Sequence, residues 1–120
     1  MIVFDSMALL AYLLGELGGS QIERRLEAGG AVSAADWSEV AQKLAARGAG
    51  RRGAKSSFRF PLAVETTGRA DAESAAALWR PGSGLSLADR LCLALGARLQ
   101  AEVLTADHAW AGYPRVTLIR

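Results

Sequence analysis

Apolar positions change their spacing several times along the chain, and each change predicts an element. Met1 to Phe4 is a short unbroken apolar run that stops at Asp5, the pattern of a strand buried on both faces. Residues 7–14 follow with strong helix formers, closed by Gly15 or the Gly18-Gly19 pair, and predict a helix. Ser20 is placed to cap a second helix over 21–28, with Ile22 and Leu26 on one face and Gly29-Gly30 as its end. Ala31-Val32 reads as a very short strand. Ser33-x-x-Asp36 is close to a capping box and opens a helix carrying Trp37, Val40, Ala41 and Leu44 at 3.6-residue spacing, running to about Arg47. Phe60 to Val64 is a further strand candidate, opposed by Pro61, and residues 69–79 read as helical. After the Pro81-to-Gly84 loop, Ser86 caps a helix over 87–99 with Leu87, Leu91, Leu95 and Leu99 four apart. Val103-Leu104 and Val116 to Ile119 close the series as strands.

Strands alternating with helical crossovers predict a parallel sheet with helices on both faces. A chain of 120 residues has room for one hydrophobic core, so residues 1–120 are expected to form a single domain. About half the residues are apolar (51%) and 22% are charged, the balance of a soluble globular protein. The N-terminus has no positively charged region or cleavage-site pattern, and no stretch approaches the roughly 20 apolar residues of a membrane span. A cytoplasmic protein is expected. The single cysteine, Cys92, excludes an intramolecular disulfide and a cysteine-based zinc cluster, and its apolar neighbours point to a buried, inert thiol. Net charge is only +2, but Arg47, Arg51, Arg52, Lys55, Arg59 and Arg69 fall in a stretch with one acid, Glu65. That distribution predicts a local basic surface, with Arg51, Arg52, Lys55 and Arg59 as candidates for contacts to a nucleic-acid backbone.

Four acids carry the candidate chemistry. Asp5 ends the first strand, Asp107 follows the Val103-Leu104 strand, and Glu39 and Asp89 lie early in their helices. In a parallel sheet the carboxyl ends of strands share an edge with the N-termini of the following helices, and ligands bind where strand order reverses. The four acids can therefore meet despite their separation in sequence. Clustered carboxylates raise one another's pKa, and a bound cation is the usual compensation. Oxygen donors without paired His or Cys favour Mg²⁺ or Mn²⁺. Taken singly, each acid has a plainer use as a helix cap, and cap and ligand are compatible because a helix N-terminus stabilises the anion.

The segments Phe4-Asp5-Ser6-Met7-Ala8-Leu9-Leu10-Ala11, Ser38-Glu39-Val40, Leu85-Ser86-Leu87-Ala88-Asp89-Arg90 and Leu104-Thr105-Ala106-Asp107 resemble the four signature segments of PIN domains. Within that group the chain looks most like VapC, the toxin half of VapBC toxin–antitoxin systems, over essentially its whole length. The resemblance implies a PIN-like three-layer α/β/α sandwich with a small central parallel sheet. It also implies a Mg²⁺- or Mn²⁺-dependent endoribonuclease leaving 5′-phosphate and 3′-hydroxyl ends, and neutralisation by a cognate VapB-like antitoxin. Asp5, Glu39, Asp89 and Asp107 match the family's acids as metal-holding and catalytic residues, and Thr105 matches a hydroxyl beside the last acid. Ser6 and Asp36 are further supporting positions. Two departures stand out: Met7 where many relatives carry Ser or Thr, and Asp36 where many carry Asn, which makes Asp36 a candidate fifth acid.

The expected substrate is RNA, in a tRNA or rRNA loop. Leu9, Tyr12, Leu13 and Leu17 offer more apolar surface than one helix face needs, and the resemblance assigns the surplus to a homodimer contact or an antitoxin helix. The competing reading is a non-catalytic PIN-like module that binds RNA or protein; a DNA or flap nuclease would want an added arch or clamp. The Gly48-to-Ser56 run mimics a P-loop but follows a helix rather than a strand. An aspartyl phosphatase would want Asp at position 7. The only His and only Cys, His108 and Cys92, lie on separate elements and make a poor nucleophilic pair.

Overall fold

The computed structural model describes residues 1–48 and 60–120, and in it five strands form one parallel sheet. The chain order is β1 (Ile2–Phe4), α1 (Ser6–Leu13), α2 (Gly19–Glu27), β2 (Gly30–Ser33), α3 (Ala34–Ala46) and β3 (Leu62–Glu65). It continues with α4 (Arg69–Ala77), α5 (Leu87–Leu99), β4 (Glu102–Thr105), a short 3₁₀ turn at His108–Trp110, and β5 (Val116–Leu118). The sheet order is β3-β2-β1-β4-β5. From the central β1 the chain moves outward to one edge, then returns to build β4 and β5 on the other side. The order therefore reverses between β1 and β4, where a crevice opens at the carboxyl ends of the strands. The two strands pair in register, Phe4 opposite Leu104, and the ladder continues through Asp5 N–H to the Leu104 carbonyl at 3.0 Å.

The two-residue period of the strands separates the core into two layers. Phe4, Val32 and Leu104 face one side, where Leu9, Ile22, Leu26, Val40 and Leu44 from α1, α2 and α3 cover them. Their neighbours Val3, Ala31 and Val103 face the other, against Cys92, Leu93 and Leu95 of α5 and the buried Trp110. Burial on both faces explains why these strands read as continuous apolar runs instead of alternating ones. The arrangement is the α/β/α sandwich that the alternation of elements predicts.

Three elements depart from the sequence reading. Helix α2 begins at Gly19 with Gly18 as its N-cap at φ +91°, so Ser20 is inside the helix and exposed, not its cap. The physical reason is close packing: a Cβ on Gly19 would lie 2.5 Å from the Ala11 carbonyl oxygen of α1. Strand β3 starts at Leu62, after Pro61, whose carbonyl instead accepts the Gly30 N–H at 3.1 Å. It lies at the sheet edge, where a neighbouring proline is tolerated. In α5 the every-fourth-residue leucine stripe drifts round the helix, leaving Leu87 59% exposed, and the buried face is Cys92 to Gly96. The basic residues Arg51, Arg52, Lys55 and Arg59, with most of the glycine-rich run, lie outside the described residues.

Adding a methyl at Gly19 meets backbone, which cannot rotate away. Gly19→Ala is expected to lower the unfolding free energy by about 1–3 kcal/mol, seen as a lower urea midpoint at unchanged slope. Ser20→Ala, at the position that caps nothing, is expected to shift stability by less than about 0.5 kcal/mol.

Candidate metal and catalytic site

Asp5 occupies the single position between the end of β1 and the start of α1. It is 1% exposed, and the Thr105 hydroxyl, at the end of β4, donates to its Oδ2 at 2.7 Å. The same Thr105 oxygen accepts the Asp107 N–H at 3.0 Å. One hydroxyl therefore ties the last residue of β4, the carboxylate after β1 and the turn that follows β4 across the switch point. The Ser6 hydroxyl makes only long contacts, 3.5 Å to Asp5 Oδ1 and 3.4 Å to Glu39 Oε2. Burial raises the Asp5 pKa to about 6; the Thr105 bond opposes that shift and the Asp89 charge adds to it.

Asp36 is the most enclosed acid, 0% exposed. Its backbone N–H donates to Ser33 Oγ at 3.1 Å, so Ser33 caps α3 as its position predicts. The carboxylate makes no return bond to complete a capping box. It turns inward, and among the described residues neither Oδ1 nor Oδ2 meets a donor at hydrogen-bond geometry; only the weak Cys92 thiol draws on it. Burial, followed by the charge of Asp5, raises the Asp36 pKa to about 8, with Glu39 and Asp89 contributing in the same direction. Asp5, Asp36 and Cys92 each bring one ligand-type atom into a group whose members lie within 4.8 Å of one another. Cys92 is buried, as its apolar neighbours predict, and its thiol pKa is pushed up by desolvation and by these acids. Its proximity to the acids is the feature that sequence reasoning misses. The signal for it is spacing: Cys92 follows Asp89, and Asp36 precedes Glu39, by three residues, so each pair shares a helix face.

The remaining acids surround this pair with different duties. Asp89 Oδ2 accepts the Ser86 N–H at 2.9 Å while Asp89 N–H donates to Ser86 Oγ at 3.1 Å, a complete capping box on α5. Its charge still reaches both Asp5 and Asp36. Glu39, half-buried one turn along α3, meets Ser6 and acts on Asp36. Asp107 Oδ1 accepts the Ala109 N–H at 2.9 Å as the cap of the 3₁₀ turn, and it is the Asp107 backbone N–H, not its carboxylate, that is linked to Asp5 through Thr105. The structure thus gathers Asp5, Asp36, Glu39 and Asp89 about one crevice, with Asp107 on its Thr105-linked rim.

Unpartnered carboxylate oxygens in a dry pocket of like charge are satisfied by protonation or by a cation. The donor set fits a divalent ion, because Asp36 brings two oxygens that meet no donor at hydrogen-bond geometry among the described residues, Asp5 lies beside it, and two further acids act on the pair.

Protonation links the same feature to stability. Both folded pKa values exceed the ordinary aspartate value of 3.8, so the folded chain holds protons that the unfolded chain has lost. The resulting stability is fully present below about pH 4 and is lost as pH rises, through about 6 for Asp5 and about 8 for Asp36. In chelator, thermal unfolding of the wild type is expected to weaken from pH 5 to pH 8. Asp36→Asn should flatten that slope, and an unchanged slope would show that Asp36 is not held in its raised state.

The chain matches the PIN domain family model over residues 2–116. Comparison with curated proteins finds no match. Among solved structures, a toxin–antitoxin complex from Klebsiella pneumoniae contains a chain with a similar fold at TM-score 0.81. The two are 23% identical, and the match covers 100% of this chain and 98% of that one. Mycobacterium tuberculosis VapC20, described as a sarcin–ricin loop cleaving toxin, is similar at TM-score 0.72 and 19% identity, covering 97% of this chain and 98% of that one. The family match spans β1 to β4 and the whole acidic crevice and reaches the first residue of β5, and the chain belongs to the PIN domain family.

Proposed function

We propose that this chain is a divalent-metal-dependent endoribonuclease, the VapC-type toxin of a toxin–antitoxin pair, acting in the cytoplasm. The observation that carries the reading is the convergence of Asp5, Asp89 and Glu39 at the sheet's switch point, where the Asp89 charge acts on Asp5 and Ser6 stands between Asp5 and Glu39. Such a pocket concentrates negative charge where a cation is the natural complement. Membership of the PIN family and the toxins among the similar structures support RNA as substrate and an antitoxin as partner.

Mg²⁺ or Mn²⁺ would be held by Asp5, Asp89 and Asp107, with Glu39 as ligand or as the base that orients the attacking water. When bound, the ion supplies a water of lowered pKa and offsets charge on the scissile phosphate. Thr105 fixes the Asp5 carboxylate, and Ser6 reaches from α1 toward Glu39. The capping box holds Asp89 at the start of α5, so its second oxygen, Oδ1, has little conformational freedom to lose. In-line displacement of the 3′-oxygen leaves 5′-phosphate and 3′-hydroxyl ends, without using the RNA 2′-hydroxyl. The acidic crevice repels phosphate on its own, so backbone contacts are assigned to Arg51, Arg52, Lys55 and Arg59. Of the apolar α1–α2 residues, Leu9 is core, whereas Leu17 is 77% exposed and remains available to an antitoxin helix or a second copy in a homodimer.

The decisive assay incubates antitoxin-free protein with total cellular RNA in Mg²⁺ or Mn²⁺ and in EDTA. Discrete fragments with 5′-phosphates are expected from the wild type, abolished by EDTA and reduced roughly 100-fold or more in Asp5→Asn. Intact RNA from a folded wild type would turn the reading to a non-catalytic RNA- or protein-binding module. Neutralising the four basic residues is expected to reduce the salt dependence of RNA binding, by up to about 0.7 in log–log slope for each phosphate that the chain no longer pairs.

A further inference from the structure

Cys92 has no part in the proposed cleavage, yet it lies in the driest corner of the acidic crevice. It is 0% exposed on α5, one turn beyond Asp89, and its Sγ belongs to the same close group as carboxylate oxygens of Asp5 and Asp36. The acids alone would not define a separate site. The second observation is Asp36: fully buried, aimed into the group and, among the described residues, without a donor for either oxygen beyond the weak Cys92 thiol. Two oxygens and one sulfur are a donor set with a definite preference. Mg²⁺ demands oxygen ligands and keeps several waters, which a closed pocket with a thiol wall does not provide. Zn²⁺ and its analogues accept mixed carboxylate–thiolate coordination, at about 2.0–2.3 Å from each donor. Donors within 4.8 Å of one another reach that geometry by a small convergence of three side chains. The neighbouring charges of Asp89 and Glu39 act on Asp36 and add to the attraction for a cation.

We propose that Asp5, Asp36 and Cys92 form a site for a thiophilic divalent cation such as Zn²⁺, distinct in donor chemistry from the oxygen-only arrangement used for catalysis. Asp5 is common to both, so a thiophilic ion seated here withdraws it from the catalytic ion. Zinc is therefore an inhibitor of this chain. The cation site itself stands on the geometry of the three side chains; only the inhibitory consequence rests on the nuclease reading.

Cobalt provides a direct optical test, because sulfur coordination gives a near-ultraviolet thiolate-to-cobalt charge-transfer absorption and needs no RNA. Chelator-stripped full-length protein titrated with Co²⁺ is expected to develop this absorption to a stoichiometric end point. Zn²⁺ should erase it, and excess Mg²⁺ should not. Cys92→Ser should lose the band, and Asp36→Asn should weaken Co²⁺ binding by roughly 10-fold or more. A folded wild type without the band overturns the proposal, as does a band that survives Cys92→Ser or is unweakened in Asp36→Asn. If circular dichroism shows Cys92→Ser to be unfolded, the wild type and Asp36→Asn decide the matter between them. A band from protein that cleaves no RNA leaves the cation site standing and removes the nuclease reading. Cleavage without a band does the reverse.

Discussion

Two carboxylates held side by side away from water oppose folding, and the placement of Asp5 against Asp36 is the constraint to which the surrounding structure answers. In-register pairing of β1 and β4 brings Thr105 to Asp5, and its hydroxyl is the strongest influence holding that carboxylate ionised against burial. No equivalent donor among the described residues reaches Asp36. That side chain is carried inward by α3, whose start is fixed by Ser33 and whose Val40 and Leu44 anchor it in the core. The sheet supplies compensation on one side of the pair and leaves the other side open to a proton or a cation.

This asymmetry gives the two acids different parts. Asp5 is tied into the sheet through Thr105 and is common to both proposed ion arrangements. Asp36, with its pKa raised to about 8, must be satisfied by a proton or by a cation, and it stands where the family resemblance implies a neutral amide.

The architecture is readable from the residues because its strands are buried on both faces and its helices are bracketed by Gly, Ser and Pro. The match for α5 is close, since Ser86 and Asp89 form the cap that their spacing announces. Ser33 and Asp36 have the same spacing but form only half of it: Ser33 Oγ accepts the Asp36 N–H, and the Asp36 carboxylate makes no return bond. Local sequence cannot distinguish them: whether a carboxylate folds back on its own helix or turns inward depends on what the rest of the sheet places beside it. Leu87 and Gly19 carry the same lesson. A stripe of leucines drifts off the buried face over three turns, and the start of α2 is set by how closely Ala11 approaches from another helix. Cys92 is legible as buried but not as a neighbour of the acids, because that proximity joins three elements distant in sequence.

The division of labour between capping and clustering also bears on how such a chain would age under mutation. Asp89 and Asp107 have an architectural use apart from any ion, since the Ser86 and Ala109 N–H groups bond to them. Asp5 makes no side-chain capping bond to α1, and among the described residues no donor at hydrogen-bond geometry meets the Asp36 carboxylate. A lineage released from selection for chemistry would gain stability by replacing Asp36 first, while keeping Asp89 and Asp107 for purely architectural reasons. Survival of the capping acids in a descendant is therefore weak testimony to activity, and the fate of the buried pair is the better fossil.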